Sequence, residues 1–267
     1  LFISGMLFLM VNFNTRAFFI NERTFLPAFF YLLLTSLNIE SQSLSPIMPA
    51  AIFLIIAMIS ISDSYRVPGV AYNFFDAALM VSTGSLFYPG LLWFGILLFI
   101  GIAIFRTGNF IEILSALTGL ITPFFLAAGI FYLTDADLST LGKQFLDKLY
   151  FSESLNNYPR SFIIVSGFSG IILLAALGFL LGRVNTKKIK SRKIFFLLIW
   201  MLFLSLVLFF VIPSLSVELI WLIAIPASYI LSHYFIYLKG RFVPELLFTL
   251  LIGSVIFLRV SVWLSNH

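Results

Sequence analysis

The basic residues of this chain fall in every second gap between its apolar segments. Twelve of the 16 Lys and Arg residues follow this alternation, and three lie in the other set of gaps. Loops that stay in the cytoplasm carry an excess of Lys and Arg, whereas translocated loops do not. The distribution therefore predicts a chain that crosses a bilayer repeatedly and in a defined orientation, which excludes water-soluble folds.

The composition agrees with a lipid environment. The 267 residues are 61% hydrophobic and 10% charged, whereas a soluble domain is nearer half apolar and a quarter charged. The chain has no cysteine, so disulfides, thiolate catalysis and cysteine-ligated metals are excluded. The net charge of +5 reflects the basic loops, and we expect no nucleic-acid partner.

Ten apolar segments are predicted to be helices, because backbone groups in hydrocarbon must be hydrogen-bonded internally. A helix needs about 20 residues to cross a hydrocarbon core about 30 Å thick, and several of these segments are shorter. The first is interpreted as the end of a longer helix that starts before Leu1. The segments are 1–12, 25–39, 47–62, 74–88, 89–106, 110–133, 161–182, 194–214, 217–238 and 246–264.

The stretch 183–193 holds six cations and no acid, so we expect it in the cytoplasm. An all-α, polytopic bundle of the bacterial inner membrane follows, with N-terminal helices over 1–133, an extracytoplasmic loop over 134–160 and C-terminal helices over 161–267. The basic stretch could also bind anionic lipid headgroups. Predicted inside are Arg16, Arg23, Arg66, Arg106, the 183–193 cations, Lys239 and Arg241, and predicted outside are Lys143, Lys148 and Arg160.

The loop 134–160 contains a helical pattern of its own. Its apolar residues recur at spacings of three, four, one and three, which predicts one face of an amphipathic helix. Asp137 is the expected N-cap, and we expect the helix to lie in the outer interface. It is either a lid over an outward-facing site or a helix that only packs on the outer surface. The apolar residues are Leu138, Leu141, Phe145, Leu146 and Leu149.

Four ionisable residues lie within the apolar segments, where charge is costly and marks candidate functional sites. Asp76 and Glu112 fall near inner helix ends, and a structural role is the simpler interpretation. Arg259 either snorkels outward, pairs with Glu218 or binds a phosphate. His233 is either a proton relay or, more commonly for a single histidine, a hydrogen-bonded structural residue.

Two acids in the long loop, Asp135 and Asp137, are weak candidates to hold a divalent cation through their oxygens. Arg160, which ends that loop, is a candidate phosphate contact together with Arg259. The sequence contains no phosphate-binding loop, dinucleotide fingerprint, zinc-protease motif or nucleophile elbow.

Two runs of residues carry a resemblance to known proteins. One is Phe75-Asp76-Ala77 followed by Ser85-Leu86-Phe87-Tyr88-Pro89, and the other is Thr122-Pro123-Phe124. Over about residues 20–135 the chain is similar to an uncharacterised family of polytopic membrane proteins from the Bacteroidota.

The layout more distantly resembles the C-type glycosyltransferases, which are membrane enzymes that use polyprenyl-phosphate-linked sugars. In that superfamily a long outer loop with an interfacial helix follows the seventh helix. The loop 134–160 fits this position if one helix precedes Leu1. The superfamily's catalytic acid would then also lie before Leu1, so its position is unknown here. Tyr88 stands where a basic residue often precedes the proline of the superfamily's helix break.

The resemblance implies a glycosyltransferase-like protein whose site faces the extracytoplasmic side and handles a polyprenyl-phosphate-linked sugar, with a divalent cation as the cofactor to consider. Two alternatives remain. The chain is a non-catalytic subunit or scaffold of an envelope-assembly or secretion complex, with other membrane subunits as partners, or it is a transporter or flippase. Membrane lipids are the expected surroundings in every case.

Overall fold

The computed structural model describes residues 2–37, 45–65, 71–105, 110–134, 137–150, 160–211, 218–240 and 242–265. All regular structure in this part of the chain is helical, and two short 3₁₀ segments, Pro89–Gly95 and Val184–Thr186, adjoin α-helices. The α-helices are α1 (Phe2–Ala17), α2 (Leu26–Thr35), α3 (Ile47–Asp63), α4 (Ala71–Phe87), α5 (Ile96–Phe105), α6 (Phe110–Leu133), α7 (Leu138–Tyr150), α8 (Arg160–Arg183), α9 (Ile189–Val211), α10 (Ile220–Tyr237) and α11 (Phe242–Ser265).

Five helices, α6 and α8 to α11, are long and apolar enough to cross a membrane. Helices α2 and α3 and the segment Pro89–Phe105 are apolar but shorter. At about 1.5 Å per residue, a helix as short as α2 extends roughly half the thickness of a hydrocarbon core. The chain therefore has the make-up of a multi-pass membrane protein, and the predicted ten full crossings are not confirmed.

The predicted segments overlap the helices, but their boundaries differ most where the sequence is basic. The stretch 183–193 is not one loop, since Arg183 ends α8 and Ile189 begins α9. Lys and Arg are good helix formers, so a charge marks the end of the apolar segment and not the end of the helix. The first segment likewise continues past residue 12 to Ala17.

Helix α10 is the most enclosed of the five membrane-length helices. About 72% of its apolar window is buried, against 17% in α6 and in α11. The hydroxyl of Tyr229 on α10 donates a hydrogen bond of 2.8 Å to the carbonyl of Met10 on α1, so α10 is tied directly to the start of the chain. Helices α6 and α11 leave most of their apolar surface outside the bundle, as helices in contact with lipid do.

Helices α4 and α6 form the most extensive helix contact in the described part of the chain. A methyl group on Gly119 of α6 would lie 2.5 Å from the Phe75 carbonyl oxygen and 2.8 Å from the Ala78 Cβ of α4. Beside it, the Ser82 hydroxyl donates 2.6 Å to the Leu120 carbonyl. Small residues let membrane helices approach closely, so α4 and α6 pack tightly against each other. Helix α7 follows α6 in the chain.

Helix α5 enters through an unusual turn. Tyr88 is extended (φ −133°, ψ 99°), Pro89 follows it, and the chain continues as the seven-residue 3₁₀ segment before α5 begins. A 3₁₀ run of this length is uncommon. The predicted boundary between segments 74–88 and 89–106 is therefore a break in the regular α-helical structure.

The helix ends gather into two groups. At one end, here called the basic end, α1, α3, α5, α8 and α10 finish together. Arg16 pairs with Asp63 at 2.9 Å, and the Lys193 ammonium and the Arg183 guanidinium each reach a carbonyl on another helix. At the opposite end, here called the α7 end, Ser45 before α3 contacts Glu218 before α10, and α7 packs on the 3₁₀ segment.

Candidate functional site

Helix α7 begins with a full cap from the side chain of Asp137. One carboxylate oxygen accepts the Ser139 backbone N–H at 3.0 Å and the Ser139 hydroxyl at 2.8 Å, and the other accepts the Thr140 hydroxyl at 2.6 Å. These donors lower the pKa of Asp137 to about 2, because a hydrogen-bonded carboxylate is stabilised in its charged form. The cap predicted at Asp137 is thus observed.

Helix α7 lies against the bundle through the apolar face that the sequence predicted. The Phe145 ring meets the Phe124 ring of α6 edge-on, with 5.4 Å between centroids, and Leu149 is buried. Leu146 departs from the prediction because it is half exposed. The side chains of Leu138 and Leu141 fall outside the described residues. The contact fixes α7 over the 3₁₀ segment and the C-terminal half of α6.

A small polar group lies at this end, close to the 3₁₀ break. The Ser45 hydroxyl donates to one carboxylate oxygen of Glu218 at 3.4 Å, and the charge of Glu218 acts electrostatically on the nearby Tyr88. Tyr88 is buried, and its hydroxyl has no hydrogen-bond partner among the described residues. The Ser45 hydroxyl and the Glu218 carboxylate are thus in contact, and the Tyr88 phenol lies within range of the carboxylate charge.

An aromatic pair begins one helical turn beyond Glu218 in the chain. Trp221 follows Glu218 by one helical turn, and its ring meets the Tyr31 ring edge-on at 6.2 Å; both are buried. Ligand sites commonly combine aromatic and apolar walls with a few placed polar groups. Ser45, Tyr88 and Glu218 offer both donors and acceptors, which suits a ligand with hydroxyl groups.

The predicted phosphate contacts are in the same half of the bundle. Arg160 is the first residue of α8 and is exposed, whereas Arg259 is half-buried near the end of α11. Helices α8 and α11 pack against each other, so both arginines belong to the α7 end. Whether they hold a phosphate stays a prediction.

Of the two predicted cation ligands the structure describes Asp137 alone, and whether the pair holds a cation stays a prediction. Asp135 lies outside the described residues. Both carboxylate oxygens of Asp137 are engaged by Ser139 and Thr140, and no cluster of three or more metal-ligating side chains occurs within the described ranges. The geometry of Asp137 therefore assigns it to capping α7.

The two intramembrane acids differ in environment. Asp76 is exposed on α4, whereas Glu112 is buried in the first turn of α6. A carboxylate in the first turn is favoured by the helix dipole. Both positions agree with the structural interpretation.

The basic stretch contacts two helix C-termini, a role that the sequence did not reveal. The Arg183 guanidinium donates 3.2 Å to the carbonyl of Tyr237, the last residue of α10. The Lys193 ammonium donates 3.4 Å to the carbonyl of Phe105, the last residue of α5. Cations stabilise the negative end of a helix dipole and satisfy its free carbonyls. Arg183 and Lys193 therefore stabilise the C-termini of α10 and α5.

His233 contradicts the expectation of a hydrogen-bonded histidine. It is fully buried, and neither ring nitrogen has a hydrogen-bond partner among the described residues. Its ring is enclosed by aromatic rings instead, 4.7 Å from Tyr237, 5.1 Å from Phe195 and 6.1 Å from Phe179 between centroids. The ring of His233 therefore lies beside Tyr237, the last residue of α10, at the basic end.

Sequence reasoning missed Ser45, Tyr88 and Tyr237 as site residues. Tyr88 stands out in the sequence only because it precedes Pro89, where the resemblance implies a basic residue. Ser45 does not stand out among the serines of the chain. The signal that could have drawn attention was the Tyr88-Pro89 step between two apolar segments, since the residue before proline is held extended. Ser45 and Tyr88 come near Glu218, and Tyr237 meets Arg183, because distant parts of the chain pack together.

Comparison with known proteins gives one match. The profile of a family of unknown function, DUF6427, matches residues 1–263. No curated protein and no solved structure matches the chain.

Proposed function

The chain belongs to DUF6427, and we propose that it is a glycosyltransferase-like protein of the bacterial inner membrane that handles a polyprenyl-phosphate-linked sugar at its α7 end. The basic end then faces the cytoplasm and the α7 end faces outward. The C-type architecture and the relation to a Bacteroidota family are part of this proposal. The observation that carries it is the polar group of Ser45, Tyr88 and Glu218, which lies beside the 3₁₀ break on which α7 rests.

The chemistry of that group supports a sugar in particular. A sugar presents several hydroxyl groups that both donate and accept hydrogen bonds. The Glu218 carboxylate accepts from two of them, while the hydroxyls of Ser45 and Tyr88 do both. Arg259 and Arg160, in the same half of the bundle, supply the positive charge that a phosphate needs. The prenyl chain would lie along the apolar surfaces that α8 and α11 expose.

The amphipathic helix α7 acts as a cover in this proposal. Its first turn is stabilised by the Asp137 cap, and Phe145 and Leu149 pack it against the bundle. Helices that close a site limit the access of water and fix the bound substrate. No catalytic residue is assigned in this proposal.

The proposal is tested by binding measured on the full chain in nanodiscs. A polyprenyl-phosphate hexose is titrated against the wild type, Glu218→Gln and the control Asp147→Asn, which makes the same change on an exposed residue of α7. We expect Glu218→Gln to weaken binding by about tenfold, as loss of a charge-assisted hydrogen bond does, and Asp147→Asn to leave it unchanged.

A second ligand separates the sugar from the lipid. Polyprenyl phosphate without sugar should bind the wild type and Glu218→Gln equally, while Arg259→Gln should weaken both ligands. Equal binding of the sugar-linked lipid by all variants, or no preference for it over phosphatidylcholine, would contradict the proposal. That outcome would favour the non-catalytic subunit.

A further inference from the structure

The phenol of Tyr88 is buried, and its hydroxyl has no hydrogen-bond partner among the described residues. Buried polar groups without partners are rare in native proteins, and each one calls for an explanation. Phe would fill the same space without the cost of burying a hydroxyl, so packing alone does not explain a tyrosine. The hydroxyl therefore indicates a partner that the described residues do not supply.

The break after α4 holds Tyr88 in place. Its backbone N–H donates 3.1 Å to the Gly84 carbonyl, and its own carbonyl accepts the Leu91 N–H at 2.9 Å. Pro89 restricts the residue before it to extended backbone, which Tyr88 adopts. Both polar groups of its backbone are thus engaged within the break, and they set the position of the ring.

The packing around the break is tight as well. A methyl group on Gly84 would meet the Leu91 side chain and would lie 2.9 Å from the Phe53 Cβ of α3, and α4 contacts both α3 and the 3₁₀ segment. Polar groups that are fixed before a ligand arrives bind it better, because less freedom is lost on binding. Tyr88 meets this condition.

Glu218 lies near Tyr88 without bonding to it. The charge of Glu218 acts on Tyr88, yet the Tyr88 hydroxyl does not donate to the Glu218 carboxylate. A phenol can donate a hydrogen bond, whereas a carboxylate only accepts. A hydroxyl group between the two can therefore accept from Tyr88 and donate to Glu218 at once.

We propose that Tyr88 selects the sugar by donating a hydrogen bond to one sugar hydroxyl, which in turn donates to Glu218. This inference rests on the proposed function, and it narrows the substrate class to sugars that keep a free hydroxyl at that one ring position. A site that is built to bond a hydroxyl rejects the analogue that lacks it, because the polar groups of the site then stay unpaired. Tyr88 thus determines specificity.

The test pairs the Tyr88 hydroxyl with each hydroxyl of the sugar. The full chain in nanodiscs is titrated with polyprenyl-phosphate glucose, mannose or galactose, whichever the wild type binds most tightly, and with each monodeoxy analogue of that sugar. We expect one analogue to bind the wild type about tenfold more weakly than the parent sugar does, or weaker still. Tyr88→Phe should bind the parent sugar about fivefold more weakly than the wild type does.

The analogue that the wild type rejects should bind Tyr88→Phe and the wild type alike, since the hydrogen bond is already absent. Tyr72→Phe is the control, because it removes a hydroxyl from an exposed residue of α4 and should change no affinity. If Tyr88→Phe binds every sugar as the wild type does, the hydroxyl reaches no sugar. A loss of equal size for the parent and all its analogues would show that Tyr88 recognises no particular hydroxyl. Either result would overturn the proposal.

The proposed function is judged separately in the same assay. A loss of sugar-linked lipid binding in Glu218→Gln, without any coupling to Tyr88, would leave the proposed function standing and overturn this inference alone. A wild type that does not prefer the sugar-linked lipid would overturn both.

Thermal unfolding without ligand gives a second measurement. Because the hydroxyl has no partner among the described residues, its removal should not cost stability. Tyr88→Phe should unfold at the temperature of the wild type or above it. A lower unfolding temperature would show that the protein or a trapped water already binds the hydroxyl, and would count against a role in selecting the sugar.

Discussion

The two ends of this bundle use charge differently. At the basic end, the cations Arg183 and Lys193 complete the C-termini of α10 and α5, and Lys187 lies over the ring of Tyr237. At the α7 end, the carboxylate of Glu218 is near a serine and a tyrosine, and a helix with its own cap lies close by. Cations that reach the carbonyls of other helices stiffen the basic end. The α7 end relies instead on the packing of α7 against the 3₁₀ segment and α6.

This difference has a consequence for stability and motion. Local opening is expected where contacts are few and backbone is exposed. Helix α7 has exposed side chains along most of its length, whereas α10 has few. We therefore expect the α7 end to open before the basic end does. Three substitutions test that asymmetry, and they follow here from the largest expected effect to the smallest.

Replacement of Gly119 by Ala should have the largest effect, because the added methyl meets the backbone of α4 at 2.5 Å. Overpacking of this kind costs about 1–3 kcal/mol. Chemical unfolding in detergent should show the loss, and hydrogen exchange should show α7 less protected while α10 is unchanged. Gly129→Ala on the same helix is the control, since no atom lies within 4 Å of its added methyl. Equal effects would contradict the packing of α4 on α6.

Replacement of Arg183 by Gln should weaken the basic end alone. It removes the hydrogen bond to the Tyr237 carbonyl and the contact with the Phe179 ring, a loss of about 1 kcal/mol for a partly exposed charge. The pKa of Lys187 should rise, because the charge of Arg183 lowers it in the wild type. Hydrogen exchange at the end of α10 and titration of methylated Lys187 measure both effects, with Lys188→Gln as the control.

Replacement of Asp137 by Ala should have the smallest effect and should be confined to α7. The pKa of Asp137 lies near 2, below its ordinary value, so its capping contribution is fully present above about pH 4. It is lost as the pH falls through about 2. Hydrogen exchange of the first turn of α7 should therefore be faster in Asp137→Ala at neutral pH and unchanged in Asp137→Asn, which still caps. Equal exchange in the wild type, Asp137→Ala and Asp137→Asn would show that the Asp137 cap does not stabilise the first turn of α7.

The sequence predicted much of the helical layout. Apolar segments and their gaps place the helices, because lipid demands internal hydrogen bonding and sets a length. It also predicted α7 and its cap at Asp137, because a carboxylate before an amphipathic run is a local signal. It set the end of α2 too late, since the predicted segment runs to residue 39 and the helix ends at Thr35. The length of an apolar run does not reveal how much of it is helical.

The candidate sites were less predictable. Arg160 and Arg259 were chosen for their chemistry alone, and the structure puts them on neighbouring helices at one end without deciding their role. Asp137, considered for a metal, is engaged by its cap. Tyr88 and Ser45 carried no signal strong enough to select them, because a site made of single residues from separate segments leaves no spacing to detect.

The amino-acid order by itself determined that the chain is helical, that it belongs with lipid and that its basic residues alternate, since each of these properties is local or additive along the chain. The tertiary structure alone decided that Arg183 reaches Tyr237, that Ser45 meets Glu218 and that His233 is enclosed with no hydrogen-bond partner among the described residues. Those contacts join residues far apart in sequence, and only the packing of helices over one another brings such residues within hydrogen-bonding distance.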